Sequence, residues 1–322
     1  MAVNIHSPDQ SAVAEESPVS IPVSRPITLL INANSRRGKL LFDDAVAAVK
    51  AAGIEVGEVV AVKDREETVR LLKREIAEGA LYVIVGGGDG TLSTCADSLA
   101  GTSVALGVLP MGTGNTFARS IGIPLDLEGA AKSIAEGHIE TCDVGRVNGQ
   151  AFLNSVSLGL SCEIAGALDK ETKKKLGLLS WPVVGARVLW RHKPLQIRIR
   201  SHERSFVVRT HQLLIVNGRY VAGPIASSPD ASVQDHTLDV FTLGGAGQFS
   251  LVRATWAWLR GRHLHSADTK YFETQKLRIE SLRRPLDANV DGEISEKTPL
   301  DIEIHPGALR IMVPLGFQAK SV

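Results

Sequence analysis

The stretch Ala80-Leu-Tyr-Val-Ile-Val85-Gly-Gly-Gly-Asp89-Gly-Thr91 decides the fold, because it joins an apolar segment to a helix through four glycines. Ala80–Val85 is typical of a buried parallel strand, and Thr91–Leu99 is predicted as a helix. Glycine backbones approach an anion closely, and a helix dipole favours negative charge at its first turn. The stretch therefore predicts a phosphate site that includes Gly86, Gly87, Gly88, Gly90 and Thr91. Its carboxylate, Asp89, is expected to hold a metal ion or accept a proton.

The bulk properties indicate a globular protein of two domains. The chain has 322 residues, of which 44% are hydrophobic, and a formal net charge of +1 that gives no bias toward nucleic acid. Residues 1–25 are rich in proline and serine and are predicted as a disordered tail. No apolar run reaches the ~20 residues that cross a bilayer, so a cytoplasmic protein is expected. Three cysteines without metal-ligand spacing predict buried free thiols.

The pattern of elements changes near residue 145. Alternating strands and helices over residues 26–145 predict a nucleotide-binding α/β domain with a parallel sheet. Short strands separated by turn residues over 146–314 predict an antiparallel β-sandwich domain, followed by a C-terminal tail at 315–322.

Two more polar loops follow predicted strands of the α/β domain. Asn32-Ala-Asn-Ser-Arg36-Arg-Gly38 contains Asn32 and Arg36 as candidate phosphate ligands, and an ordinary turn is the alternative. Pro110-Met-Gly112-Thr113-Gly-Asn115 offers glycine, threonine and asparagine, with a helix-capping turn as the alternative. Ligands bind beyond the carboxyl ends of parallel strands, so these loops and the glycine stretch are expected at one edge.

An acidic pair stands near the C-terminus. Asp291 and Glu293 flank a glycine, and in an extended chain residues i and i+2 point to the same face. The two carboxylates are therefore candidates for one site, although a solvated turn is the more common meaning of this pattern.

These residues resemble a known family. Gly86–Thr91 followed by Met111-Gly-Thr-Gly-Asn-Thr-Phe-Ala-Arg119 is similar to the catalytic domain of the diacylglycerol kinase and sphingosine kinase superfamily, and in particular to its soluble bacterial lipid kinases. Later motifs occur in the expected order: Asp143-Val-Gly-Arg-Val-Asn148, Phe152-Leu-Asn154, Asn217-Gly-Arg-Tyr220, Pro229-Asp-Ala-Ser232, Leu238-Asp239 and Asp291-Gly-Glu293. NAD kinases and phosphofructokinases share the glycine and aspartate loop, whereas the later motifs point to lipid kinases.

The resemblance implies phosphorylation of a lipid hydroxyl that depends on ATP and Mg²⁺. It implies a first domain like that of NAD kinase and phosphofructokinase, with the nucleotide in the cleft before the β-sandwich. Asn32, Thr113 and Asn115 would line the nucleotide. Asp89 would be the general base or a metal-associated carboxylate. Asp291 and Glu293 would approach from the second domain, with Glu293 as the alternative base. Such a division suits phosphoryl transfer, which needs positioned phosphates, charge neutralisation and a proton acceptor.

Three positions depart from the family pattern. Thr116 stands where bacterial relatives usually carry aspartate, Ala33 replaces a proline, and His236 replaces a glycine. In relatives the stretch around His236 helps to hold a structural Mg²⁺; Asp235 and Asp239 are the candidate ligands here, with two surface carboxylates as the alternative.

A soluble lipid kinase must meet its substrate at a membrane surface. Lys173-Lys-Lys175 precedes the apolar segment Leu176–Trp190, which suits an interfacial helix or a helix that covers the β domain. A second basic and aromatic stretch, Arg253–His265, is expected to be a packed helix. A homodimer is compatible with the chain but not required by it. Two other functions stay open: phosphorylation of a soluble nucleotide, as in NAD kinase, and a catalytically silent protein that binds nucleotide or lipid.

Overall fold

The computed structural model describes residues 26–167, 188, 192–228, 231–245, 247–260 and 266–318. The predicted tail over 1–25 and the basic and apolar segment from Lys173 to Trp190, apart from Val188, lie outside the described residues. So do Arg262, His263, His265 and the last four residues of the predicted tail 315–322.

Strands and helices alternate along the first half of the chain. In chain order the elements are β1 (Ile27–Asn32), α1 (Arg36–Leu40), α2 (Phe42–Ala51), β2 (Val56–Val62), α3 (Arg65–Ala77), β3 (Tyr82–Gly87), α4 (Asp89–Leu99), β4 (Ala105–Pro110), α5 (Thr116–Ser120) and α6 (Leu127–Glu136). The first four strands pair in parallel in the order β2-β1-β3-β4. The predicted α/β domain with a parallel sheet is therefore confirmed.

The second half is built mainly of strands. In chain order the elements are β5 (His138–Val147), β6 (Gln150–Phe152), β7 (Ser155–Gly159), α7 (Leu160–Ala167), β8 (Leu195–Ser201), β9 (Ser205–Thr210), β10 (Gln212–Val216), β11 (Tyr220–Ala222), β12 (Ile225–Ala226), β13 (Leu238–Leu243), α8 (Gln248–Leu259), β14 (Thr269–Thr274), β15 (Lys276–Ser281), β16 (Asp287–Val290), β17 (Glu293–Lys297) and β18 (Leu300–Val313).

Two antiparallel layers form the predicted β-sandwich. One layer contains β18, β15, β8 and β9, and the other has the order β14-β13-β10-β7-β16-β17. Apolar side chains alternate with polar ones along β8 and β15, so that one face of each strand is buried. Ile197, Ile215 and Ile279 are fully buried in the core that the two layers share. The antiparallel β-sandwich is confirmed.

The last strand, β18, belongs to the sheets of both halves. It pairs in parallel with β4 and antiparallel with β5 and β15, which makes one ten-stranded sheet. We predict two strands here, Leu300–His305 and Leu309–Val313; the structure joins them across a register shift between His305 and Leu309. The domain ranges 26–145 and 146–314 stay a prediction.

The three cysteines are free and buried, as predicted. Burial raises the pKa of the Cys95 thiol to about 12, so this thiol stays protonated at neutral pH. In the described ranges, no helix is both long and apolar enough to cross a membrane.

Candidate active site

Two glycine loops touch at the carboxyl ends of β3 and β4. A Cβ atom on Gly112 would lie 2.5 Å from the Cα of Gly88, and one on Gly88 would lie 3.1 Å from the Cα of Gly112. Neither glycine has a positive φ, so the close approach of two backbones requires them. The sequence-predicted loops therefore come together and present bare backbone.

The first two glycines of the stretch belong to the strand rather than to the loop. β3 runs to Gly87, where a Cβ would meet the Thr91 side chain at 2.7 Å. A Cβ on Gly86 would lie 2.5 Å from the Met111 sulfur. Helix α4 begins at Asp89, two residues before the predicted start, because an acidic residue is favourable in a first turn.

The helices that start at these loops lack side-chain caps. Asp64 caps α3 and Asp126 caps α6, each by accepting a hydrogen bond from the N–H three residues on. The corresponding residue of α4 is Gly88, and that of α5 is Asn115 at a φ of 48°; neither makes a side-chain capping bond. The first turn of α4 thus keeps backbone donors for an anion.

The loop after β1 reaches the glycine stretch through Asn32. Its Nδ2 donates to Thr91 Oγ1 at 2.7 Å, and its Oδ1 accepts from the Asn34 N–H at 3.0 Å. Ser35 caps α1, because its Oγ accepts a hydrogen bond of 2.8 Å from the Gly38 N–H. Two predicted phosphate-side residues, Asn32 and Thr91, are in direct contact.

An arginine crosses from α1 to the second glycine loop. Arg37 Nη1 donates to the Gly112 carbonyl at 2.8 Å, while the Gly112 N–H donates to buried Asn115 Oδ1 at 2.8 Å. Our prediction named the neighbouring Arg36, which begins α1 but whose side chain lies outside the described part. Arg37 is therefore one of two described arginines on this loop, the other being Arg119, whose Nε donates to the Gly114 carbonyl at 3.2 Å.

Asp89 is partly buried and bonded through one oxygen only. Its Oδ1 accepts from the Phe117 N–H at 3.0 Å and from Asn154 Nδ2 at 3.3 Å. Its Oδ2 has no hydrogen-bond partner among the described residues, and lies 3.2 Å from where a Cβ on Gly114 would stand. One carboxylate oxygen is therefore available to a ligand.

Asp291, by contrast, is bonded through both oxygens. Its Oδ1 accepts from the N–H groups of Asn154 and Ser155, both at 2.9 Å, and its Oδ2 accepts from the Leu153 N–H at 2.7 Å and from the Ser93 hydroxyl. Burial raises the pKa of Asp291, and these hydrogen bonds oppose that rise. The residue clamps the β6–β7 loop and α4 to the turn before β17.

Glu293 is exposed at the start of β17. A Cβ on Gly90 would lie 3.3 Å from its Oε1, so the carboxylate lies over the first turn of α4. We expected Asp291 and Glu293 to share a face because the chain would be extended there. It is not extended: Asp291 and Gly292 have φ values of 47° and 97°, which turn the chain.

A cavity of about 700 Å³ lies between the two halves and includes these groups. Predicted residues along its wall are Asn32, Gly88, Asp89, Gly90, Thr91, Gly112, Thr113, Asp291 and Glu293. Lys63, Asp64 and Arg65 also line it, and we did not predict them. They directly follow β2, so the strand-end rule that identified the other loops would have found them.

Thr116 has a structural contact. It is buried, and its Oγ1 accepts from the Gly223 N–H at 2.9 Å, which attaches the β11–β12 turn to the start of α5. A hydroxyl at this place carries no negative charge, so Thr116 adds no second carboxylate beside Asp89.

The candidate metal residues lie in a different place. Asp235 accepts three hydrogen bonds, from the Ser232 N–H and from the N–H and hydroxyl of Thr237, and burial raises its pKa. Asp239 accepts from the Tyr271 hydroxyl at 2.8 Å. Within the described ranges, no three His, Cys, Asp or Glu residues are grouped as metal ligands would be. A metal ion on Asp235 and Asp239 stays a prediction.

His236 bonds to another aspartate. Asp143 is fully buried, with its Oδ1 accepting from the Gly307 N–H at 2.8 Å and lying 2.9 Å from His236 Nδ1, while its Oδ2 accepts from the His236 N–H at 2.7 Å. We call Asp143, His236 and Gly307 the Asp143 junction. It joins β5 to the loop before β13 and to the register shift of β18. The predicted metal site on Asp235 and Asp239 does not include Asp143.

Helix α8 shows both an inner and an outer face. Leu251 and Ala254 are buried, whereas Trp256 is 56% exposed with the Arg260 guanidinium 4.3 Å from the centre of its ring. The described part of the Arg253–His265 stretch is thus a packed helix that leaves one tryptophan at the surface.

Two family models match consecutive parts of the chain. The model of the diacylglycerol kinase catalytic domain matches residues 26–147, and that of the YegS C-terminal NAD kinase beta sandwich-like domain matches residues 154–313.

Individual proteins are similar over most of the chain. A Pseudomonas aeruginosa protein named "Probable lipid kinase YegS-like" is 31% identical over 300 residues, which are 87% of this chain and 93% of that protein. A Bacillus subtilis diacylglycerol kinase is 30% identical over 67% of this chain and 72% of its own length. The crystal structure of a diacylglycerol kinase from Bacillus anthracis has the same fold, with a TM-score of 0.73 at 24% identity, covering 89% of this chain and 96% of its own.

Proposed function

The chain belongs to the family of lipid kinases with a diacylglycerol kinase catalytic domain, which are phosphotransferases with an alcohol group as acceptor, and we propose that it transfers the γ-phosphoryl group of ATP to a hydroxyl of diacylglycerol or a related lipid. The observation that carries the proposal is Asp89 Oδ2 at the uncapped start of α4, an oxygen with no hydrogen-bond partner among the described residues. It puts a proton acceptor beside backbone donors suited to phosphate.

The glycine loops and Arg37 bind the phosphates in this proposal. Gly88 and Gly112 present backbone without side chains, and the first turn of α4 adds free N–H groups and the positive end of its dipole. Arg37 uses one N–H on the Gly112 carbonyl, which holds its guanidinium over the loop with its other donors available.

The cleft also suits Mg²⁺. This ion takes oxygen ligands, commonly one or two carboxylates together with substrate phosphates and water. Glu293 would hold it, since its carboxylate is exposed over the start of α4 and has no hydrogen-bond partner in the described part of the chain. When bound, Mg²⁺ neutralises phosphate charge and polarises the group that is transferred.

Asp89 removes the proton of the acceptor hydroxyl. As the hydroxyl oxygen bonds to the γ-phosphorus, the bond from that phosphorus to the bridging oxygen breaks, ADP leaves, and the proton passes to Asp89 Oδ2. Phe117 and Asn154 hold the other oxygen, so the carboxylate keeps its orientation during this step. Glu293 is the alternative base, and Asp291 positions the surrounding loops.

The substrate hydroxyl lies at a membrane surface, so the proposal includes peripheral membrane contact. The exposed Trp256 with its stacked Arg260 is of the amphipathic kind that suits an interface. A homodimer, a cytoplasmic location and the absence of nucleic-acid binding remain predictions.

The test is transfer of label from ATP labelled in its γ-phosphoryl group. The full chain is incubated with Mg²⁺ and either diacylglycerol and other lipid alcohols in mixed micelles, or NAD. We expect label in an organic-extractable product, its loss in Asp89→Asn, and its retention in the control Asp287→Asn, which changes an exposed aspartate of β16. Label only in soluble nucleotide would instead support an NAD kinase activity, and nucleotide binding with no labelled acceptor would support a silent protein.

A further inference from the structure

We propose that Asn154 is a positioning residue that selects the reactive oxygen of Asp89. The inference rests on the proposed function, since it assumes that Asp89 acts as the base. In this proposal Asn154, from the second half of the chain, orients the carboxylate of Asp89, from the first half, through a direct hydrogen bond.

The backbone of Asn154 is held on both sides. It lies in the β6–β7 loop and is 3% exposed. Its N–H donates to Asp291 Oδ1 at 2.9 Å, and its carbonyl accepts from the Asn217 N–H at 2.8 Å. Because both contacts use the backbone, the side chain is free to serve another purpose.

That side chain points to Asp89. Asn154 Nδ2 donates to Asp89 Oδ1 at 3.3 Å, the same oxygen that accepts from the Phe117 N–H at 3.0 Å. Two donors on Oδ1 leave Oδ2 without a partner in the described ranges. The electron pairs of Oδ2 therefore remain for the proton of the substrate hydroxyl.

The chemistry of the pair fixes the orientation of the amide. An ionised carboxylate only accepts hydrogen bonds, so the nitrogen of Asn154 must face Asp89 and its Oδ1 must face away. This oxygen is buried and has no hydrogen-bond partner among the described residues. The side chain thus gives up one acceptor bond and keeps its donor on Asp89.

Other acidic residues nearby make the hydrogen bond from Asn154 to Asp89 important. Glu293 lies over the first turn of α4, and Asp291 is joined to the same helix through Ser93. The Glu293 carboxylate repels that of Asp89, and the Asn154 amide donates a hydrogen bond that keeps Asp89 in place.

The test compares Asn154→Ala in two backgrounds, the full wild-type chain and Asp89→Asn. In the wild type we expect kcat to fall by about 10- to 100-fold while the KM for ATP changes little, as for other groups that orient a reactive side chain. In Asp89→Asn, the same change should have no further effect on the residual rate, because no base remains to be oriented.

Several outcomes separate this inference from its alternatives. A merely structural role for Asn154 would lower the rate equally in both backgrounds, or would lower Tm along with it, and either result overturns the inference. Asn154→Ser retains a donor and should recover part of kcat, whereas Asn154→Asp should lose more than alanine does. Gln196→Ala, which removes a half-buried amide of β8 that accepts from Arg283 far from the cleft residues in sequence, is the control.

The proposed function can fail separately. Full activity of Asp89→Asn, or no lipid product from the wild type, would reject the proposed function itself. If Asp89→Asn is inactive while Asn154→Ala turns over at the wild-type rate, only the role of Asn154 is rejected.

Discussion

The cleft and the Asp143 junction both contain carboxylates, yet they use them in opposite ways. In the cleft, Asp89 has one oxygen bonded and one without a partner in the described part of the chain. In the junction, Asp143 is fully buried and both of its oxygens contact donors on two other segments. Saturated carboxylates join segments, and an unsaturated one is left for chemistry. By this criterion Asp291 is a joining residue, although it lies in the cleft wall.

The largest expected effect would come from removing the unsaturated carboxylate. Asp89→Asn keeps the acceptor oxygen for Phe117 but is not a base, so kcat should fall by about 10²- to 10⁴-fold. Tm should stay close to that of the wild type. Steady-state kinetics and thermal melts of the same samples measure both. A large fall in Tm with little change in kcat would reverse the comparison between cleft and junction.

The junction should show the opposite pattern. Asp143→Ala leaves the half-buried donors of His236 and Gly307 without their acceptor, and the free energy of unfolding should decrease by about 1–3 kcal/mol. Urea denaturation measures this loss, and Asp143→Asn, which keeps one acceptor oxygen, should lose less. The folded fraction should retain its KM for ATP. A stable but inactive Asp143→Ala protein would mean that the junction takes part in catalysis.

The smallest effect is expected at His236. This residue has a φ of 61°, which strains histidine but not glycine. His236→Gly therefore removes the backbone strain, but it also removes the imidazole that bonds to Asp143. We expect a net change within about 1 kcal/mol, since strain and hydrogen bond are of similar size. Melts without nucleotide also test the metal that Asp235 and Asp239 are predicted to hold, because Mg²⁺ bound only to the folded protein raises its Tm. A wild-type Tm that rises with Mg²⁺ and falls with EDTA would support a metal on Asp235 and Asp239.

Much of the first half followed from local rules. The strand ends of β1, β3 and β4 were predictable from apolar runs and glycines, and their loops meet because carboxyl ends of parallel strands share an edge. The bond from Arg37 to the Gly112 carbonyl was not predictable in this way. It depends on the rotation of a five-residue helix about its axis, which adjacent identical residues do not reveal.

The contacts across the cleft were beyond such rules. Asn154 and Asp89 are 65 residues apart, and only the packing of the two halves brings them together. The positive φ values of Asp291 and Gly292 also break the alternation of side chains along an extended chain, and the expected shared face of Asp291 and Glu293 depended on that alternation. Strand β14 (Thr269–Thr274) has an alternating pattern that was available in the sequence, but we did not predict it.

The path of β18 sets the order in which the molecule can be completed. During synthesis, residues 26–147 emerge early, but the strand that lies beside β4 is more than 150 residues away in the sequence. Until it arrives, β4 has an open edge and β5 lacks the partner with which it forms its longest pairing. The first half therefore completes its sheet last, and a nascent or truncated chain exposes that edge to other chains.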